Sequence, residues 1–163
     1  MNKIIVIGCP GSGKSTFSKS LHKLTGIPLY HLDLMFWNAD KTTVEKSVFL
    51  ERLSETLQHS AWILDGNYAS TMELRLQACD AVIFLDYPLH TCLSGIHERR
   101  GKKRSDMPWI ETSEEDEAFM AFVHNYIAES RPQVMELLDK YSHKKIYIFK
   151  SRSEADEFLS GIQ

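Results

Sequence analysis

The sequence predicts an α/β fold: a parallel sheet covered by helices on both faces. Three observations carry that expectation. Five short apolar runs alternate with helix-like stretches along the chain. Several of the runs are almost continuously hydrophobic, the pattern of strands covered on both sides. Alternation of this kind, with a crossover between consecutive strands, makes neighbouring strands parallel.

The elements follow in order. The first strand is Lys3–Ile7, and the helix after it is Lys14–Leu24. A second strand, Pro28–Leu32, leads to a helix over Val44–His59, for which Thr42 and Glu45 stand at capping-box spacing. The third strand, Ala61–Leu64, precedes a helix at Ser70–Gln77, and the fourth, Ala81–Leu85, precedes one at Thr91–Arg100. A long helix over Glu114–Tyr141 opens with Ser113 and Asp116 at a similar spacing, and Pro132 should kink or divide it. The last strand is Lys145–Phe149 and the last helix Glu154–Leu159.

With 163 residues, 43% of them hydrophobic and 25% charged, the chain suits one domain, 1–163, with a real core. No apolar run approaches the ~18 residues of a membrane span. The N-terminal run reads as a strand and not as a signal peptide, since it passes directly into a glycine-rich loop. Cys9, Cys79 and Cys92 are an odd number at no metal-like spacing, as expected of a reduced cytoplasmic protein. A net charge of −3 argues against DNA binding by the bulk surface.

The chemistry begins at Gly8, where "GCPGSGKST" fits G-x-x-x-x-G-K-[ST] between a strand and a helix. Glycines let the backbone turn its N–H groups toward an anion, and the helix that follows adds its positive end. Gly8, Cys9, Pro10, Gly11, Ser12, Gly13, Lys14, Ser15 and Thr16 are therefore the expected cradle of a nucleoside triphosphate. Lys14 reaches the β- and γ-phosphates and Ser15 ligates Mg²⁺. Cys9 fills a variable position of the loop.

A kinase or ATPase also needs an acidic group to organise the metal. Asp33, Asp65 and Asp86 each end an apolar run, where ligands of parallel sheets bind. Asp33 stands in "HLDLMFWN", beside Phe36 and Trp37, an arrangement that suits an acceptor pocket over 33–60. Asp65 opens "DGNY", where Gly66 permits close approach to a ligand, with Asn67 and Tyr68 next to it. Asp86 precedes Pro88 and suits a cap for the next helix. Position alone does not rank the three. Phosphoryl transfer further calls for converging cations. The basic segment around Arg99, Arg100, Lys102, Lys103 and Arg104 suits a lid over 99–113 better than a solvated loop or a weak nucleic-acid patch. Arg75 and Arg131 are further candidates.

With the phosphate loop, "HLDLMFW", "WILDGNY", "RLQACDAVIFLDYP" and "ERRGKKR" in this order, the chain resembles the adenylate-kinase-related small P-loop kinases. Within that group it looks most like the proteins described as DNA topology modulation proteins. The resemblance implies a three-layer fold with strand order 2-3-1-4-5 and a lid closing over ATP. It implies that Asp65 organises Mg²⁺ and its waters, that Arg99 or Arg100 packs on the nucleotide, and that Arg104 is a second lid arginine. It implies that Arg131 is supplied by the helix after the lid, and that the loop Lys150–Ser153 borders adenine. The chain departs from adenylate kinases at Asn67-Tyr68-Ala69 and at His31-Leu32-Asp33, so AMP is not the implied acceptor. Asp33 is similar in place to the acceptor-side carboxylate of shikimate-kinase-like enzymes, whose glycine triplet after the third strand is missing here.

Three functions compete at this point. The first is an ATP- and Mg²⁺-dependent phosphotransferase in which Lys14, Asp33, Arg99, Arg100, Arg104 and Arg131 do the chemistry. Trp37, Asp65, Gly66, Asn67, Tyr68 and Arg75 would bound its small-molecule or nucleotide acceptor. The second is a nucleotide-binding regulator that affects DNA topology. The third, a GTP switch, lacks an Asn-Lys-x-Asp guanine signature. The oligomeric state is not readable.

Overall fold

The computed structural model describes residues 1–99, 105–109, 121 and 123–162. Its centre is a five-stranded parallel sheet in the order β2-β3-β1-β4-β5, made by β1 (Lys3–Gly8), β2 (Leu29–His31), β3 (Trp62–Asp65), β4 (Ala81–Leu85) and β5 (Lys145–Phe149). Seven helices surround it among the described residues: α1 (Lys14–Thr25), α2 (Leu32–Phe36), α3 (Lys46–Leu57), α4 (Ala69–Ala78), α5 (Leu89–Arg99), α6 (Arg131–Lys140) and α7 (Arg152–Ser160).

Alternation along β1 divides the core in two. Ile4 and Val6 pack with Phe17, Leu21, Ile83, Cys92 and Ile96 on one face. Ile5 and Ile7 pack with Leu32, Phe49, Leu53, Leu64 and Leu76 on the other. A strand with apolar residues at both parities must be covered twice, and β1 is. Its register places Val6 opposite Asp65 on β3 and Gly8 opposite Leu85 on β4. The carboxyl ends of β1, β2, β3 and β4 therefore lie side by side, and all the candidate chemistry hangs from them.

Two local expectations are corrected and a third is borne out. Leu32, read as the end of the second strand, instead opens a short helix over 32–36. Thr42 does not cap α3: its amide and hydroxyl both turn to Asp40, and the cap position falls to Glu45, which makes no side-chain cap bond. The competing Asx-type turn is closer in sequence than the helix end, so it wins. The division at Pro132 is seen, and its form is a π-helical turn at Tyr126–Ser130 directly before α6. The start expected at Ser113 and Asp116 lies outside the described residues.

Candidate active site

The phosphate loop joins β1 to α1. Ser12 N–H donates to Cys9 O at 3.0 Å, and Gly13 occupies the N-cap of α1 with φ of +92°. The turn is fixed from outside as well. Gly11 has φ of +83°, and a Cβ there would stand 2.0 Å from the Cys92 carbonyl of α5, so only glycine fits between loop and helix. Lys14 folds back over the loop and donates to Gly8 O at 2.9 Å and to Cys9 O at 3.2 Å. Burial lowers its pKa, against the opposing pull of Asp33; Arg99, at the end of α5, is close enough to lower it further.

Ser12 Oγ and Ser15 Oγ are buried here without a hydrogen-bond partner. Buried hydroxyls without partners cost free energy unless a ligand supplies them. Their place in a loop of inward amides, at a helix N-terminus, fits the phosphates of a nucleotide and, at Ser15, a hydrated Mg²⁺. No group of three or more Asp, Glu, His or Cys side chains among the described residues could hold a metal by itself. Cys9 and Cys92 are both buried and share a hydrogen bond that raises the Cys9 pKa, so this thiol is inert filling.

Asn67 completes the donor half in a way its sequence position does not reveal. Its Oδ1 accepts from Gly8 N–H at 3.1 Å and its Nδ2 donates to Gly8 O at 2.6 Å. The side-chain amide thus extends the β1–β3 ladder by one rung and pins the loop's first residue. Asn67, expected on the acceptor side, is thus seen holding the loop through Gly8. Gly66 is also reassigned: at φ of +130°, a Cβ there would meet Leu32 Cβ at 2.9 Å, so the close approach is to α2 and not to a ligand.

Arg75 is the largest correction. It is fully buried, and its guanidinium donates to Gly66 O at 3.1 Å, to Tyr68 O at 3.2 Å, to Thr71 Oγ1 at 3.2 Å and to Asn67 O. Burial pulls its pKa down to about 9. It is a clamp beneath the Asp65–Tyr68 loop with no surface for substrate. The clamp holds Tyr68 at φ of +39°, a strained conformation for a non-glycine residue.

The Tyr68 hydroxyl donates to Asp33 Oδ1. Among the described residues Oδ2 accepts no hydrogen bond. Burial raises the Asp33 pKa, opposed by Tyr68 and Lys14, while Asp106 and Asp65 push it further up. Phe36 lies against Tyr68 with ring centroids 5.0 Å apart, Trp37 against Phe36 at 5.3 Å, and Trp109 against Trp37 at 5.4 Å. Residues 105–109, from the segment read as a lid, therefore meet the acceptor side through Trp109. Arg100 and Arg104 lie outside the described residues.

Asp65 has a partner that sequence reasoning passed over. His31 Nδ1 is 2.7 Å from Asp65 Oδ2, and both side chains are nearly buried. The pair joins the last residues of β2 and β3, which the register places opposite each other. Asp65 can still offer Oδ1 toward a metal's water.

Asp86 does not cap α5. It accepts from Arg131 Nε and Nη2, both at 2.8 Å, and from Lys150 Nζ at 2.5 Å. Burial raises its pKa, but these two cations outweigh that and leave it lowered. Arg131, expected among the catalytic cations, is held in this bidentate pair at the end of β4.

No protein-family model matches the chain, and no curated protein matches it. Among solved structures it is similar to shikimate kinase from Acinetobacter baumannii in complex with shikimate, at 18% identity and a TM-score of 0.66, over 99% of this chain and 90% of that one. It is also similar to shikimate kinase from Bacteroides thetaiotaomicron, at 17% identity and 0.62, over 96% and 93% of the two chains. A third similar structure, shikimate kinase from Aquifex aeolicus, gives 18% and 0.58 over 98% and 92%. The sheet order and surrounding helices are thus those of the small P-loop kinases. Nothing in these comparisons supports the DNA topology resemblance. No helix among the described residues is long and apolar enough to cross a membrane.

Proposed function

We propose that the chain is an ATP- and Mg²⁺-dependent phosphotransferase acting on the hydroxyl of a small-molecule or nucleotide acceptor. The observation that carries this reading is the phosphate loop: Lys14 folds back onto Gly8 O and Cys9 O, beside Ser12 and Ser15 hydroxyls buried without a partner, and its charge opposes the rise that burial gives the pKa of the nearby Asp33. The kinase fold of the similar structures supports it.

In this reading the loop amides from Gly8 to Thr16 hold the donor's phosphates, with Ser15 and Asp65 organising the metal. Bound there, Mg²⁺ would neutralise phosphate charge and align the triphosphate. Asp33 orients the acceptor hydroxyl and takes its proton as the acceptor oxygen bonds to the γ-phosphorus. The bond from phosphorus to the bridging β–γ oxygen breaks, and ADP leaves. Lys14 and Arg99 neutralise the charge that spreads over the transferring group, joined by Arg100 and Arg104 of the lid. Arg131 contributes only after leaving Asp86. His31 holds Asp65 in one orientation, as outer partners of metal-organising carboxylates do.

The test is transfer of labelled γ-phosphate from ATP to a panel of hydroxyl compounds. Acceptor-dependent transfer that disappears in Lys14→Ala and Asp33→Asn supports the reading. Hydrolysis indifferent to every acceptor and to Asp33 overturns it.

A further inference from the structure

We infer that Asp86 and Lys150 hold Arg131 in reserve, that the donor's phosphates draw it off, and that Tyr126 then takes its place on Asp86. Asp86, Lys150 and Tyr126 are positioning residues: they act through Arg131 and set how tightly the donor binds. The inference rests on the kinase reading above and concerns the regulation of that same site.

The reserve is a carboxylate with more cations than it needs. β4 pairs with β1 so that Leu85 lies opposite Gly8, and a Cβ on Gly8 would stand 2.8 Å from Leu85 O. Asp86 follows directly, at the end of the strand that flanks the phosphate loop. Its side chain is buried and accepts from Arg131 Nε and Nη2, both at 2.8 Å, and from Lys150 Nζ at 2.5 Å. Both cations reach it from the surface. Stranding a buried carboxylate without a partner is costly. With Lys150 in place, Arg131 can leave without that cost. A triphosphate in the loop offers several negative charges against the single charge of Asp86, and a guanidinium fork suits phosphate oxygens as well as it suits a carboxylate.

A hydroxyl lies idle beside this pair. Tyr126 belongs to the same core cluster as Cys9 of the phosphate loop, Leu85, Tyr87 and Cys92. It is 4% exposed, and its hydroxyl is buried with no hydrogen-bond partner among the described residues. Such a group in a folded chain calls for a reason. In an α-helix, residues five apart face different ways. Here Tyr126–Ser130 is a π-helical turn, closed by Arg131 N–H on Tyr126 O, which sets Tyr126 and Arg131 one above the other. Burial raises the Tyr126 pKa, and Asp86 is among the neighbours that raise it further. The phenol therefore stays protonated, a donor within range of the carboxylate. The resting form leaves this hydroxyl unused; the form with Arg131 on phosphate uses it to satisfy Asp86.

The experiment is calorimetric titration of the full chain with Mg²⁺ and AMP-PNP, an ATP analogue that is not turned over. Asp86→Asn releases Arg131 beforehand and should bind the analogue about tenfold more tightly than the parent does. In the Arg131→Met background the same substitution should change affinity by less than about twofold, because no arginine is left to release. Tyr126→Phe removes a hydroxyl that the resting form does not use. Its thermal midpoint without nucleotide should equal or exceed the parent's, while its affinity for the analogue should fall about fivefold.

Unchanged or weaker binding by Asp86→Asn, a tightening that persists without Arg131, or parental affinity in Tyr126→Phe each overturns the inference and leaves the donor site standing. If Asp86→Asn does not fold, Tyr126→Phe decides alone. A folded parent that binds no AMP-PNP overturns the kinase reading itself.

Discussion

The donor half and the acceptor half of this site are built from different material. From Gly8 to Thr16 the proposed phosphate cradle is one loop and its first helical turn, held by Ser12 N–H on Cys9 O and by Lys14 on Gly8 O and Cys9 O. Around Asp33 the groups are side chains, drawn from α2, from Tyr68 ahead of α4, and from Trp109 beyond α5. Backbone chemistry is written into local spacing. Side-chain chemistry depends on which distant residues the fold brings together. In the proposed reading, the donor site is thus shared in outline with many proteins and the acceptor site is this chain's own.

The comparison breaks most sharply at Lys14, the group common to both halves. Lys14→Ala should lower phosphoryl transfer by about 10³-fold or more, with the unfolding midpoint shifted by only a few degrees in a thermal melt. Arg75→Met should act on stability instead. It leaves several buried loop carbonyls without a donor, and chemical denaturation should show a loss of about 3–5 kcal/mol. Measurable activity would survive only where the loop still folds.

Asp33→Asn should reduce transfer about 10²-fold and leave ATP affinity unchanged by calorimetry. Its stability effect has the opposite sign. The native state holds a proton on Asp33 more tightly than the unfolded chain does, because burial raises its pKa. That carboxyl therefore costs stability as pH rises through its native pKa, so the asparagine variant should melt higher than the parent at neutral pH. The gain should vanish in acid. By the same linkage, the acid limb of the transfer rate should lie above the ordinary carboxylate range.

Asp86 behaves in reverse. Its pKa is lowered by Arg131 and Lys150, so it contributes stability above the ordinary carboxylate range and loses it as pH falls. Asp86→Asn should cost about 2–3 kcal/mol at neutral pH and flatten the acid side of the stability profile. Smallest is Tyr68→Phe, which removes one donor from Asp33 Oδ1. It should weaken transfer about tenfold and raise the native pKa of Asp33 further, moving the acid limb upward.

The legibility of the sequence follows the same division. Five strands are legible in the sequence, most plainly "IIVIG" and "AVIFL", whose continuous apolar runs fit the two-sided burial of β1 and β4. The phosphate loop is readable because its function is local. What escapes is every contact made across long separations. His31 meets Asp65 across 34 residues, Asn67 meets Gly8 across 59, and Asp86 meets Arg131 across 45. Arg75 shows the cost most clearly. An arginine near a "DGNY" loop reads as a ligand, and only burial reveals that its donors are spent on that loop's own carbonyls. The five-residue helix α2 also escapes, since it has no cap and is too short for a helical period to show.

The central claim is that one ammonium group joins a phosphate donor to a carboxylate-guided acceptor. Its most direct test is single-turnover transfer of labelled γ-phosphate from ATP to the best acceptor, in the parent and in Asp33→Asn with ATP saturating. The account predicts label in the acceptor for the parent and about 10²-fold slower labelling in the variant, with equal ATP occupancy. Equal labelling rates in the two proteins would contradict it.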